Sequence, residues 1–318
     1  MKHCRFLTLA IIATLFSYAP STNAASIHPS IHPDTGLAHT WVADYGSDSN
    51  SGAYSSPYLD FATAIANTAA GGEVSVLTPG EYGACTITQS ITIDGGGPRG
   101  SVSFSGGEGV FINVAANATV VLRNLDVDGG GVGSDGIFVQ SSGSTVTTNV
   151  TIDNCQIHGC SVLGIGVGSE GPMNVSIVDT NITGGTLGLR TYQSSGNVVY
   201  DHVSMRNCVI NGITGTAPDA AVFSRNGTMD ATNCSFVNST IGLECDTSAE
   251  ITAMGCTISG NPQALVCYTS STIQLLNDSL LNNTVGIASD GGTVVTLHGN
   301  ISRGNTTPGE ANANAATF

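Results

Sequence analysis

The sequence predicts an all-β solenoid, a coil of short parallel strands, on three observations. An apolar residue recurs at Val127, Ile157, Ile182, Ile210, Phe236, Ile258, Leu280 and Ile301, in steps of 30, 25, 28, 26, 22, 22 and 21 residues. Around each one, apolar and polar residues alternate. Three positions before it stands a column of mostly polar residues. Self-similarity at a period of this size marks a repeat architecture, in which each unit buries its apolar side only against its neighbours.

Taken in chain order, residues 1–24 have the parts of a secretory signal peptide: Met-Lys-His-Cys-Arg, an apolar run from Phe6 to Phe16, and the small-residue end Thr22-Asn23-Ala24. The apolar run is short for a membrane span, so the expectation is an exported chain, secreted or periplasmic, without membrane insertion. Cys4 precedes the apolar core and does not suit a lipoprotein anchor. Cleavage would remove Lys2 and Arg5 and move the formal charge from −15 to −17, leaving six Arg and no Lys. Such a surface repels nucleic acid and anionic lipid. A polyanionic glycan would need a local Arg or a bridging cation.

Residues 25–39 read as a Pro-punctuated linker. Its His28, His32 and His39 form a conceivable metal set, but the mobile-linker reading is the better one. Residues 40–84 form an entry segment. Within it Asp60 is placed to cap a helix whose Phe61, Ile65 and Ala69 share one face, ending at Gly71-Gly72. An amphipathic helix there would cover the open apolar end of the coil.

Residues 85–305 carry the repeat. Five positions before the reference residue stand Leu122, Ile152, Ile177, Met205, Ala231, Ala253, Leu275 and Thr296, and seven before it Val120, Val150, Val175, Val203, Met229, Ile251, Ile273 and Val294. Alternation of this kind is a half-buried strand. The polar column is Asn124, Asn154, Asp179, Asn207, Asn233, Gly255, Asn277 and His298. Stacked Asn side chains can satisfy the backbone of neighbouring coils in a buried bend, which reads as an asparagine ladder. A second short strand follows about ten residues later, as in Gly136-Ile137-Phe138-Val139 and Gly242-Leu243-Glu244-Cys245. The tail, 306–318, is Ala, Asn and Thr rich without period and reads as frayed.

On the ladder and the coil period, over roughly residues 85–305, the chain resembles a right-handed parallel β-helix protein of the pectate-lyase-like superfamily. The entry segment, from Thr40-Trp41-Val42-Ala43-Asp44 to Thr78-Pro79-Gly80-Glu81-Tyr82, resembles that of secreted bacterial β-helix proteins, including some polysaccharide lyases. The resemblance implies a single solenoid, a monomer and a polysaccharide partner. It carries little chemistry, because one scaffold hosts many functions.

Eight cysteines follow the leader. Cys155, Cys208, Cys234 and Cys256 share one inward column, and Cys245 and Cys267 another. Coils about 4.8 Å apart admit disulfides between stacked pairs, while buried thiols fill the same space as small apolar groups. The residues favour thiols.

The outer face of the second strand is where chemistry is expected. Counting from its glycines, one outward column is Phe138, Gly166, Arg190, Val222, Glu244, Val266 and Ala288. The next is Gln140, Gly168, Tyr192, Ser224, Asp246, Tyr268 and Asp290. Arg190, Tyr192, Tyr268 and Asp290 then form a substrate-binding surface, since aromatic faces stack on sugar rings and carboxylates accept hydroxyl hydrogen bonds. Glu244 and Asp246, two apart on a strand and so about 7 Å from one another, fall in the range of an inverting glycosidase pair. The competing reading is a solvated acidic face.

No metal or cofactor is required by these motifs. Calcium is one option, at Gly130-Gly131-Val132-Gly133-Ser134-Asp135-Gly136 after Asp128, which matches a calcium-binding nonapeptide in a single copy. His158 and His298 precede glycines, but the residues that accompany such a His in polygalacturonases are missing. A lyase Lys base is excluded by the absence of Lys after the leader, leaving Arg123, Arg190 or Arg206 as a base. Three functions therefore stay open: a secreted β-helix that binds a polysaccharide along the outer strand face, a polysaccharide lyase or glycoside hydrolase, and a structural repeat of an adhesin.

Overall fold

The computed structural model describes residues 36–309, apart from 98, 116, 142–145, 170, 194–200 and 216–218, together with 313 and 314. The signal-peptide reading, His28 and His32 lie outside the described residues. The described chain is a parallel β-helix with three sheets of 12, 9 and 9 strands, and strands neighbouring in a sheet come from successive coils.

A representative coil runs from Thr148–Asp153 in the first sheet through Gln156–His158 in the second to Leu163–Ser169 in the third. The first-sheet strands stack in register, Val150 on Val175 and Val175 on Val203, with Ile152 on Ile177 and Ile177 on Met205. All of these are buried, as are Ile157, Ile182, Ile210, Phe236, Ile258 and Leu280 in the second sheet. The alternation seen in the sequence is thus the inward and outward pleat of stacked strands.

Two corners in each coil are turned by single residues in the left-handed region, a conformation that Gly and Asn tolerate best. The first corner is the polar column. Asn124, Asn154, Asp179, Asn207, Asn233 and Asn277 have φ between 49° and 59°, and Gly255 has φ 67°. The second lies five residues on and is turned by Gly159, Gly212, Asn238, Gly260 and Asn282, among others.

The first-corner geometry corrects the direction expected of the polar column. At positive φ the side chain leaves the strand alternation and faces outward, so Asn154, Asp179 and Asn207 are exposed. They bond side chain to side chain: Asn154 Nδ2 donates to Asn124 Oδ1 at 2.7 Å, and Asn207 Nδ2 to Asp179 Oδ1 at 2.9 Å.

The buried asparagine ladder occupies the position just after the second corner. Asn283 Oδ1 accepts from Asn261 N at 2.9 Å, and Asn305 Oδ1 accepts from Asn283 N at 2.8 Å. Each amide also donates back to the preceding coil, Asn261 Nδ2 to the Phe236 carbonyl at 3.1 Å and Asn283 Nδ2 to the Ile258 carbonyl at 3.0 Å. These bends therefore keep their buried backbone groups paired.

All eight described cysteines are buried and free. Apart from Cys85, their sulfurs meet backbone carbonyls, as in Cys245 with Ala249 at 3.2 Å and Cys256 with Ala231 at 3.4 Å.

The one described α-helix is Phe61–Asn67. Asp60 caps it, accepting from Thr63 N at 2.6 Å. Its buried face is Phe61, Ala64 and Ile65, with Phe61 against Tyr82 at 5.2 Å between ring centres. It is shorter than the spacing suggested, because Ala69 already belongs to the strand Thr68–Val76. Near the other end, Ala313–Asn314 pairs with Thr293–Thr296.

Candidate functional site

The outer face of the third sheet carries the predicted site, on the strands Leu187–Gln193, Ala220–Arg225, Ile241–Asp246, Gln263–Tyr268 and Val285–Asp290. Pairing sets Arg190 beside Phe223, Phe223 beside Glu244, and Glu244 beside Val266. In the next column Tyr192 pairs with Arg225, and Arg225 with Asp246.

This register corrects the outward columns by one residue in the strand Ala220–Arg225. Val222 and Ser224 are fully buried on the inward side, and Phe223 and Arg225 take the outward places. Gly188 lies against Ala221 rather than another glycine, so counting from glycines slips there, and a one-residue slip exchanges the two faces.

Glu244 is the centre of the face. It is 5% exposed, and its Oε2 has no hydrogen-bond partner among the described residues. Phe223 and Val266 flank it in register and belong to an apolar patch with Leu163, Leu187, Ala220 and Ile241, against which Phe138 and Tyr268 pack. Burial, and then the negative charges of Asp219 and Asp246, push the Glu244 carboxyl up to about 7.

Asp246 differs. Its Oδ2 lies 3.7 Å from Arg225 Nε. Tyr268 is partly buried in the next coil, and its phenol is raised by burial and by the charges of Glu244, Asp290 and Asp246. Asp290 is exposed and pairs in register with Tyr268. Glu244, Asp246, Tyr268 and Asp290 are therefore brought together on adjacent coils.

Arg190 and Tyr192 stand two strands from Glu244, about 10 Å along the coil axis. The Arg190 guanidinium carbon lies 4.7 Å from the Tyr192 ring centre and 6.0 Å from that of Phe223. Arg190 Nε is buried and has no hydrogen-bond partner among the described residues.

Sequence reasoning missed two residues. Arg225 would have emerged from the correct register. Asp219 is 1% exposed, its Oδ2 has no hydrogen-bond partner among the described residues, and it precedes its strand at a position no periodicity marks.

At the calcium-like turn, Asp128 Oδ1 accepts from Gly130 N at 2.8 Å and lies 3.4 Å from His158 Nδ1. Asp135 Oδ1 accepts from Ser134 at 2.8 Å. These carboxylates serve the turn and its neighbours, and among the described residues no three His, Cys, Asp or Glu side chains converge as a metal set.

Two family models match the chain: the right handed beta helix region over residues 108–226, and the periplasmic copper-binding protein (NosD) over residues 211–316. The second name implies copper. The residues present do not form such a site: among the described residues no three His, Cys, Asp or Glu side chains converge, and the cysteines of that stretch are buried with their sulfurs on backbone carbonyls. Comparison with curated proteins returned no match.

Among solved structures the chain is similar to pectate lyase Pel9A, with 14% identity, a TM-score of 0.51, and 86% of this chain covered against 81% of that one. It is also similar to the GH136 lacto-N-biosidase from Eubacterium ramulus, with 8% identity, a TM-score of 0.56, and 87% against 67% covered. Both are likenesses of fold. The chain is a right-handed parallel β-helix protein of the pectate-lyase-like fold.

Proposed function

We propose that the outer face of the third sheet binds and hydrolyses a glycan, with Glu244 as the general acid. One observation carries this reading: a buried carboxyl, with one oxygen unpartnered, that holds its proton up to about pH 7 beside two further carboxylates. A surface that only bound sugar would have no need to keep a proton in that position. Perturbed acids in such settings mark functional sites.

In the reaction, Glu244 donates its proton to the glycosidic oxygen as the bond from that oxygen to the anomeric carbon breaks. Asp246 takes a proton from water, whose oxygen bonds to the anomeric carbon, so the sum is one water consumed and two sugar ends formed. Arg225 holds the Asp246 carboxylate in place. Asp219 helps Glu244 stay protonated by its charge. Tyr268 and Tyr192 offer ring faces to sugars.

The arrangement also favours a second reading, retention of a polysaccharide without turnover, because Arg190, Tyr192 and Tyr268 form a strip across several coils. Under either reading the leader-like residues 1–24 support export, and the net charge of −15 argues against nucleic acid as a partner. No described helix is long and apolar enough to cross a membrane.

The test is incubation of the purified chain with neutral and uronate polysaccharides, following reducing ends and ultraviolet absorbance alongside retardation in affinity gels. New reducing ends that vanish in Glu244→Gln support hydrolysis. Unsaturated products would make it a lyase, and retardation without products would leave the binding role.

A further inference from the structure

Three strands from Glu244 on the same face, the outward column loses its side chains: the strand Leu163–Ser169 presents Gly166 and Gly168 where its neighbours carry Phe138, Arg190 and Tyr192. A Cβ at Gly166 would come within 2.5 Å of the Phe138 ring and 2.7 Å of the Leu163 side chain, and one at Gly168 within 2.7 Å of the Tyr192 ring. The missing side chains leave a hollow of about 300 Å³. That is at the small end of ligand pockets, which span roughly 300–1,000 Å³.

The hollow is built for a ring with one apolar side and polar edges. Phe138 and Leu163 wall it with apolar surface, and Tyr192 adds an aromatic face. Its charged groups are one carboxyl and one guanidinium. Asp135 is half-buried, and the neighbouring Arg190 has a buried Nε that lacks an acceptor. The two formal charges balance, so a ligand with charge of its own gains little, whereas a sugar hydroxyl can accept from Arg190 and donate to Asp135. Further along the column, Glu244, Asp219 and Asp246 face only one other arginine, Arg225, which Asp246 already engages. A chain of uronates laid along this face would meet repulsion.

We infer that the Gly166–Gly168 hollow is a subsite for one uncharged pyranose residue of an extended neutral glycan lying along the coil axis. Its centre is three strand spacings, about 14 Å, from Glu244. A sugar residue in an extended chain advances by about one such spacing. The substrate must therefore reach at least four residues to touch both places. This inference rests on the hydrolase reading only for the position of the cleaved bond.

The experiment measures binding by calorimetry to Glu244→Gln protein, which cannot turn substrate over. The probes are gluco-, manno-, xylo- and galacto-oligosaccharides of two to six residues, with oligogalacturonates of the same lengths for comparison. Affinity for one neutral series should rise about tenfold as it lengthens from three to four residues, equivalent to about 1.4 kcal/mol. Adding Gly166→Leu, whose side chain fills the hollow, should remove that rise. Arg190→Gln, which leaves the glycines and the Phe138 ring untouched, should weaken the longer ligands about fivefold and guards against a misfolded Leu variant, with circular dichroism checking both.

A rise that survives both variants, a preference for oligogalacturonates, or no binding by any neutral series overturns the subsite. Turnover by the unmutated chain is scored separately. Length-dependent binding without turnover leaves the subsite standing and removes the hydrolase, and turnover without length dependence does the reverse.

Discussion

Glu244 and Asp246 leave the same strand on the same face, yet only Asp246 meets a cation, Arg225 at 3.7 Å, while Glu244 keeps an unpartnered buried oxygen. The pair is thus split into one carboxyl that burial and neighbouring negative charge push up and one that stands beside an arginine. Acid catalysis needs that division, and two equally solvated carboxylates would not supply it.

The pH dependence of turnover follows. With the Glu244 carboxyl raised to about 7, its protonated fraction falls about tenfold for each pH unit above that value. The rate should therefore be sustained at pH 5–6 and decline through pH 7–8, and Glu244→Gln should lower kcat by about 10² or more at pH 5–6, the gap narrowing as pH rises above 7. A rate that is flat from pH 6 to 9 would remove Glu244 as the acid. Glu244→Asp, shorter by one methylene, should lose rate while retaining a pH-dependent limb.

How much of this was legible in the sequence differs by residue. The inward columns were, because Val150, Ile152 and their equivalents repeat with a strict alternation that only a stacked strand produces. The column of Asn154 and Asn207 was visible, but its direction was not, since alternation ceases to predict facing wherever φ turns positive. Glu244 and Asp246 were found by counting along one strand. Their difference in environment was out of reach: it depends on Phe223, Val266 and Asp219, which arrive from other coils, and on a register that slips at Ala221.

The buried thiols carry a second prediction. Burial pushes Cys85 and Cys245 up to about 12, and Cys155 and Cys160 up to about 11. The thiolate is the reactive species, so these four should resist iodoacetamide at pH 8 in the folded chain and react rapidly in guanidinium. Intact mass of the purified protein should show free thiols. A loss of two mass units for each stacked pair would instead show that the columns form disulfides.

Asp278 should be a charge that the fold tolerates at a cost. It is fully buried, accepting from Cys256 N at 2.7 Å and Leu276 N at 2.8 Å, and burial outweighs those bonds to raise it from 3.8 to about 6. Below its ordinary value both states are protonated. As pH rises from about 4 to about 6 the unfolded chain releases this proton first, so stability falls through that window, by an amount on the order of 3 kcal/mol. Asn300 occupies the equivalent place in the next coil, with its oxygen accepting from Asp278 N. Asp278→Asn should therefore raise Tm at pH 7.5 and change it little at pH 4. An equal shift at both pH values would mean that charge is not the cause.

The two polar columns make opposite predictions, and a pair of substitutions separates them. Asn283 is 2% exposed; its oxygen takes the Asn261 N–H and its amide reaches the Ile258 carbonyl. Asn283→Ala would leave those groups buried without partners, each at about 1–3 kcal/mol, so a loss of about 3 kcal/mol in urea unfolding is expected. Asn207 is exposed, with φ 56°, and contributes one outward bond to Asp179. Glycine takes that backbone conformation without strain, so Asn207→Gly should change stability by less than about 1 kcal/mol. If Asn207→Gly proved as costly as Asn283→Ala, the outward stack would be a structural ladder in its own right. The assignment of the buried one to Asn261, Asn283 and Asn305 would then lose its energetic meaning.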